Sequence, residues 1–402
     1  MDTRYKLYLI LIPVISLSIK WILSYFEFGF HQNILTLVNV KDIHYFPIIY
    51  SLSDLNFLPS YIDNIIPEKT IAFPFLPLLI HTLGFKIFGV YSFLILEFIF
   101  QISFLLLLFI LFKKVLLSKE KSFFFVLFIF FISSFLGILV LFQDLILIKD
   151  LNRIFLENIG TRFPRPLISG IVIFYGFYLL IELEKQLSKS FDYIYLLKLS
   201  VTISLLTSVY FYYVLNFTII AFLIIIFSSK LDLIFSKKMM KKFLFSLIIF
   251  MISSIPFIIQ QSYVEVDHSL RLGAIEIDMD QKIYLIKYFF KSMLNPKFLV
   301  LLLIASLLLF YFKKSNNINY KKLVIFYYFI ISSMMTFIIF VLFAPKIVSL
   351  YHLINIILFS IILYLMLSVF IILTTSKLSL KLLDFFSKKF TLSFLLITII
   401  TF

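Results

Sequence analysis

The stretch "VKDIHYFPIIY" at residues 40–50 sets Asp42 and His44 between Lys41 and a run of aromatics, in a chain with few charges to spend. A carboxylate there can take the proton of an attacking hydroxyl as general base, or ligate a hard cation, and the imidazole of His44 can do the former. Asp54 and Asp63 lie close behind as alternatives, and an Asp in this position is also a good helix N-cap. A second group stands in "GTRFPRPL" at 160–167, where two prolines hold the chain extended. Arg162 and Arg165 offer guanidinium forks that grip phosphate bidentately in a way an ammonium cannot; the plainer alternative is snorkelling to lipid headgroups at a helix start. Arg153, Arg271 and His352 complete the candidate substrate-binding set. Asp150 and Glu157, from a different loop, could meet Asp42 and share a divalent cation such as Mg or Mn.

Those residues need a scaffold, and composition says what kind. Hydrophobic residues are 62% of the 402 and charged ones 14%, more apolar surface than a soluble domain can cover, so lipid is the solvent. Runs this long and uniformly apolar are helices, since barrel strands alternate. The expected fold is therefore an all-α polytopic membrane protein, one transmembrane domain over 1–402. About 11 spans are drawn at 7–26, 90–112, 123–142, 167–183, 195–211, 214–229, 243–260, 298–312, 323–343, 347–374 and 390–402. With no cysteine, disulfides and thiolate metal sites are excluded. The first 26 residues lack a small-residue cleavage site and read as a retained signal-anchor helix.

The net charge of +15 is a topological signal rather than a nucleic-acid footprint. Short connections such as "KKVLLSKEK", "KLDLIFSKKMMKK" and "KKSNNINYKK" are Lys-rich, whereas the alternate segments 27–70, 143–166, 261–297 and 344–346 carry 12 Lys and Arg against 13 acids. The positive-inside rule then places the N-terminus and the Lys-rich turns in the cytoplasm. The three substantial loops all fall outside. In the first, 27–89, interfacial helices are expected, with 71–88 lying flat or re-entering and Gly84 and Gly89 breaking it from the next span. Four of the five Arg, and all five His or nearly so, lie on or near that face. Lys20 and Glu97 differ: both sit inside predicted spans, at similar depth, where they could form a structural ion pair or mark a proton or substrate path.

An acidic motif after the first span, "YFPIIYSLSDLNFLP" behind it, the Pro-containing "FPFLPLLIHTLGFKIFGVYSFL" and the "TRFPRPLISG" entry to the fourth span together resemble the GT-C superfamily of polytopic glycosyltransferases, in a bacterial branch. The resemblance is clearest over 1–185 and extends to "HSLRLG" and "YHLINIILF". It implies a cell-envelope enzyme of the bacterial inner membrane that takes its sugar from a polyprenyl-phosphate donor and inverts at the anomeric carbon. Asp42 would be base or metal ligand, and Arg162 and Arg165 would hold the lipid phosphate. Many members carry two adjacent acids where this chain has Asp42 alone, between Lys41 and His44. The expected partners are the lipid-linked sugar and membrane lipids, with no nucleic acid. The rival from another class is a transporter or flippase, for which the "YFYYVLN" hairpin at 210–216 is the best feature. Against it, no internal repeat is seen, and the polar chemistry gathers on one face.

Overall fold

The computed structural model describes residues 3–29, 45–55, 74–142, 146–159, 167–188, 192–228, 236–262, 277–315, 317, 319–344 and 350–375. Among these it is all helix, with no strand. In chain order the helices are α1 (Thr3–Phe28), α2 (Tyr45–Ser53), α3 (Phe75–Phe88), α4 (Tyr91–Leu116), α5 (Lys119–Phe142), α6 (Ile146–Asn158) and α7 (Leu167–Ser188). They continue as α8 (Tyr193–Val209), α9 (Tyr212–Ser228), α10 (Lys237–Ser262), α11 (Met279–Met293), α12 (Pro296–Lys314), α13 (Tyr320–Phe343) and α14 (Leu350–Thr375).

The protein is a multi-pass membrane protein. Six helices among the described residues are long and apolar enough to cross a bilayer, namely α1, α4, α7, α10, α13 and α14. The pair α11 and α12, bent by 67°, would make a seventh. That is fewer than the expected 11. Helices α8 and α9 coincide with two expected spans but have 17 residues each, about 25 Å of helix against a hydrocarbon core of about 30 Å. Helix α5 coincides with 123–142, although not all of its side chains are described, and 390–402 lies outside the described residues.

Contacts divide the chain into two compact units. The first comprises Met1–Asn64, Leu76–Phe174 and Val369–Phe402, the second Ile65–Phe75 and Tyr175–Ser368. In the first unit α1 runs antiparallel to α4, which turns through the left-handed Leu117 (φ 59°) into α5. Tyr5 of α1 meets Phe109 and Phe123, at 6.2 and 5.1 Å between ring centroids. The N-terminus thus shares an end with the Lys113–Lys121 turn, as the charge pattern anticipates. Phe112, Phe125 and Phe370 extend this core.

Gly84 does not break a helix. It lies within α3, where an added Cβ would stand 2.8 Å from Leu96 Cδ1 and 3.2 Å from Ser92 Cβ, so its role is close approach of α3 to α4. The break falls at Gly89, whose φ of +57° only glycine adopts at low cost.

In the second unit α8 packs on α10, where Ser204 and Ser254 share a buried hydroxyl–hydroxyl hydrogen bond of 2.9 Å. Helix α9 packs on α13, and Phe177, Phe217, Phe326 and Phe329 interlock between α7, α9 and α13. One end carries the Lys321–Glu184 ion pair (3.2 Å) and Lys242 over the Tyr193 ring. The turn between α8 and α9 and the start of α14 lie at the other, where Tyr210 meets His352.

Candidate functional site

Asp42, His44, Arg162, Arg165 and Arg271 lie outside the described residues. The structure does place Arg153, Asp150, Glu157 and His352, together with the predicted intramembrane charges.

The charges pair with each other. Lys20 on α1 donates from Nζ to Glu97 Oε1 on α4 at 2.6 Å, and Trp21 Nε1 donates to Glu97 Oε2 at 2.9 Å. Both carboxylate oxygens are thereby used, and the side chains of Lys20 and Glu97 keep only 23% and 11% of their exposure. Gln101, one turn deeper on α4, is fully buried, and Ser16 and Ser24 flank Lys20 at four-residue spacing on α1, both buried. The α1–α4 seam is thus polar over about two turns, a placement that hydrocarbon tolerates only inside protein.

Beside the start of α4, the short helices make an aromatic corner. Phe46 of α2 packs edge-on to Phe85 of α3 at 5.7 Å, Tyr50 adds a second edge contact at 6.4 Å, and Lys86 Nζ donates to the Ser53 carbonyl at 3.2 Å. His81 of α3 stacks on Phe93 at 5.5 Å and is 6% exposed. Grouped by sequence with the outward histidines, it is instead an interior ring. Burial pushes its pKa down from 6.5 to about 3. The folded protein holds it neutral while the unfolded chain binds a proton near 6.5, so its contribution to stability falls as pH drops below about 6.5. His81→Phe is expected to flatten that part of the acid loss, read as a shallower fall of Tm between about pH 7 and pH 4.

Helix α6 lies within the expected outer segment 143–166 and is strongly amphipathic. Ile154, Phe155 and Ile159 are buried, while Lys149, Asp150, Arg153 and Leu156 are exposed. Arg153 faces Asp150 at 3.8 Å across one turn. Asp150 therefore has a cationic neighbour on its own helix, and Glu157 lies two turns further on. Among the described residues no group of three or more His, Asp or Glu is placed to hold a metal ion.

His352 stands in the first turn of α14 among tyrosines. The Tyr210 ring is edge-on at 5.8 Å, Tyr212 is tilted at 6.3 Å and Tyr351 is edge-on at 5.5 Å. Beneath them Asn216, fully buried, accepts a hydrogen bond from Thr336 Oγ1 at 3.1 Å and donates to the Tyr212 carbonyl at 3.4 Å. Tyr213 is completely buried, and Asn355 is 2% exposed one turn below His352. The "YFYYVLN" hairpin is thus the wall around His352, an association sequence separation hid because about 140 residues intervene between the hairpin and α14. Tyr210 and Tyr212 are themselves buried, so the group around His352 is a packed interior cluster.

No family model matches the chain, and neither a curated protein nor a solved structure matches it.

Proposed function

We propose that this protein is a membrane glycosyltransferase that moves a sugar from a polyprenyl-phosphate donor to an acceptor on the outer face of the bacterial inner membrane, with its N-terminus in the cytoplasm and about 11 spans. The observation that carries the reading is in the first unit. Three helices too short to cross, α2, α3 and α6, follow the ends of α1 and α5 opposite the Lys113–Lys121 turn. In this reading they are interfacial helices, and in sequence α2 follows the segment that holds Asp42 and α6 precedes the one that holds Arg162 and Arg165.

In this mechanism Asp42, with His44 beside it, accepts the proton of the acceptor hydroxyl. The hydroxyl oxygen bonds to the anomeric carbon from the face opposite the phosphate, the carbon–oxygen bond to the phosphate breaks, and the configuration inverts. Arg162 and Arg165 receive the charge that develops on the departing lipid phosphate, with Arg153 and Arg271 as further contacts. A well-placed donor of this kind is worth about 3–4 kcal/mol of barrier. No step is routed through a metal.

The test uses membranes holding equal amounts of wild type or Asp42→Asn, each given a panel of radiolabelled polyprenyl-phosphate sugars. Wild type is expected to move label from donor lipid to endogenous acceptor, and Asp42→Asn to lose at least about a hundredfold of that rate. Transfer that survives the substitution removes Asp42 as base and turns attention to Asp54, Asp150 or Glu157. A panel left unconsumed by wild type overturns the enzyme reading in favour of a transporter or flippase.

A further inference from the structure

Helix α11 divides its circumference three ways. One side packs on α13: Phe289 is buried and stacks on Phe337 with centroids 4.0 Å apart. Beside it Lys282 Nζ donates to the carbonyl oxygens of Ala344 (2.7 Å) and Leu342 (3.4 Å), which satisfies the open end of α13. At 100° per residue the next flank carries Met279, Ile283 and Phe290, all exposed and all apolar. The flank beyond that carries Tyr284, Lys287, Tyr288 and Lys291, spaced i, i+3, i+4, i+7, and all four are exposed. Asp278 and Gln281 close a capping box at the start, so the helix is fixed from its first residue.

The placement of α11 gives the stripe its setting. Helix α11 is bent from α12 by 67°, so the two do not form one straight span. Its contacts fall on the last two turns of α13, since Phe337 lies six residues, about 9 Å, before Phe343. Interfacial helices sink to this depth, about 5–10 Å, at the boundary between headgroups and acyl chains. An exposed apolar flank immersed there sets Lys287 and Lys291 at its border, level with lipid phosphates, and tyrosines favour the same layer. Asp280 shares the stripe but sits in the first turn, seven residues or about 10 Å from Lys287, where it offsets the positive end of the helix dipole. The local field around Lys287 and Lys291 is cationic.

We infer that α11 is an interfacial anchor whose Tyr284–Lys287–Tyr288–Lys291 stripe binds the headgroups of anionic phospholipids. This inference does not rest on the glycosyltransferase reading. Its complementarity is one of charge and depth: two ammonium groups one turn apart meet phosphodiesters that carry net negative charge, while the apolar flank holds the helix in register with them.

Trp21 is the chain's one tryptophan, so Tyr288→Trp adds a single second reporter on the stripe. The full-length variant is reconstituted in vesicles containing dibrominated phosphatidylglycerol or dibrominated phosphatidylcholine at equal mole fraction. Quenching of wild type, which reports Trp21 alone, is subtracted. The expected result is tighter quenching by the anionic lipid, by about fivefold in apparent affinity for each lysine engaged. Lys287→Gln/Lys291→Gln in the same background is expected to bring the two lipids to parity. Equal quenching by both lipids before the lysines are replaced overturns the inference, and so does a preference that survives their replacement. Absence of quenching by either lipid also overturns it, and points to protein, such as a second copy of the chain, covering that face.

Discussion

Lys20→Met is expected to lower the stability of the purified, solubilised chain by about 3 kcal/mol, and Glu97→Leu by a similar amount, whereas the double variant Lys20→Met/Glu97→Leu recovers most of the loss. The asymmetry follows from the geometry. Glu97 receives Lys20 at 2.6 Å and Trp21 at 2.9 Å, so removing the lysine leaves a carboxylate inside a span with one neutral donor to stabilise it. Removing both charges leaves no uncompensated ion in the α1–α4 seam, and replacing a buried ion pair by apolar residues of similar volume is commonly neutral or better. Trp21, the chain's single tryptophan, is bonded to the carboxylate and reports on it directly. Its emission is expected to shift in Glu97→Leu, which has no acceptor, and to shift little in Glu97→Gln, which keeps one. Thermal unfolding followed by that emission gives the double-mutant cycle. Additive single losses, with no recovery in the double variant, would mean that the two residues are not coupled.

That pair was one of two readings the sequence left open, and the structure shows it made. Two opposite charges at similar depth in consecutive apolar runs have no cheaper partner than each other. The charge pattern also anticipated that the N-terminus shares an end with the Lys113–Lys121 turn, which Tyr5 against Phe109 and Phe123 shows within the first unit. Other features were not readable from one residue at a time. Gly84 reads as a helix breaker on propensity, yet a helix in lipid satisfies its own backbone, and the glycine serves the close approach of Leu96 and Ser92. His81 reads as one more outward histidine, but the side of α3 it occupies is set by Phe93, which belongs to the next helix. The tyrosine wall around His352 is built from a hairpin far away in the chain. Span number was the least legible quantity, because 17-residue apolar helices such as α8 and α9 fall between a short crossing and a buried core helix.

Gly176→Ala is expected to destabilise the second unit by about 1–3 kcal/mol, and Gly176→Val by more. Gly176 lies on α7 where it crosses α9, and a Cβ built there would fall within the ring of Phe217, 2.7 Å from Cδ2. That ring has nowhere to go. It is fully buried, edge-on to Phe177 at 4.9 Å and to Tyr213 at 5.9 Å, while Phe177 is itself stacked on Phe326 and edge-on to Phe329. An alanine elsewhere on α7 would favour the helix, since alanine has the higher propensity, so a loss here isolates the packing contribution. Shortening the obstacle tests the cause. Phe217→Leu alone costs stability by opening a cavity, but in combination with Gly176→Ala the new methyl occupies part of that space, and the pair is expected to lose less than the sum of its members. The same aromatic block adjoins the Asn216–Thr336 bond, since Asn216 precedes Phe217 on α9, so the displacement that Gly176→Ala forces on Phe217 reaches the Tyr212 and His352 cluster through one helix. A Gly176→Ala protein with wild-type Tm would show that α7 and α9 are looser than this interlocking requires.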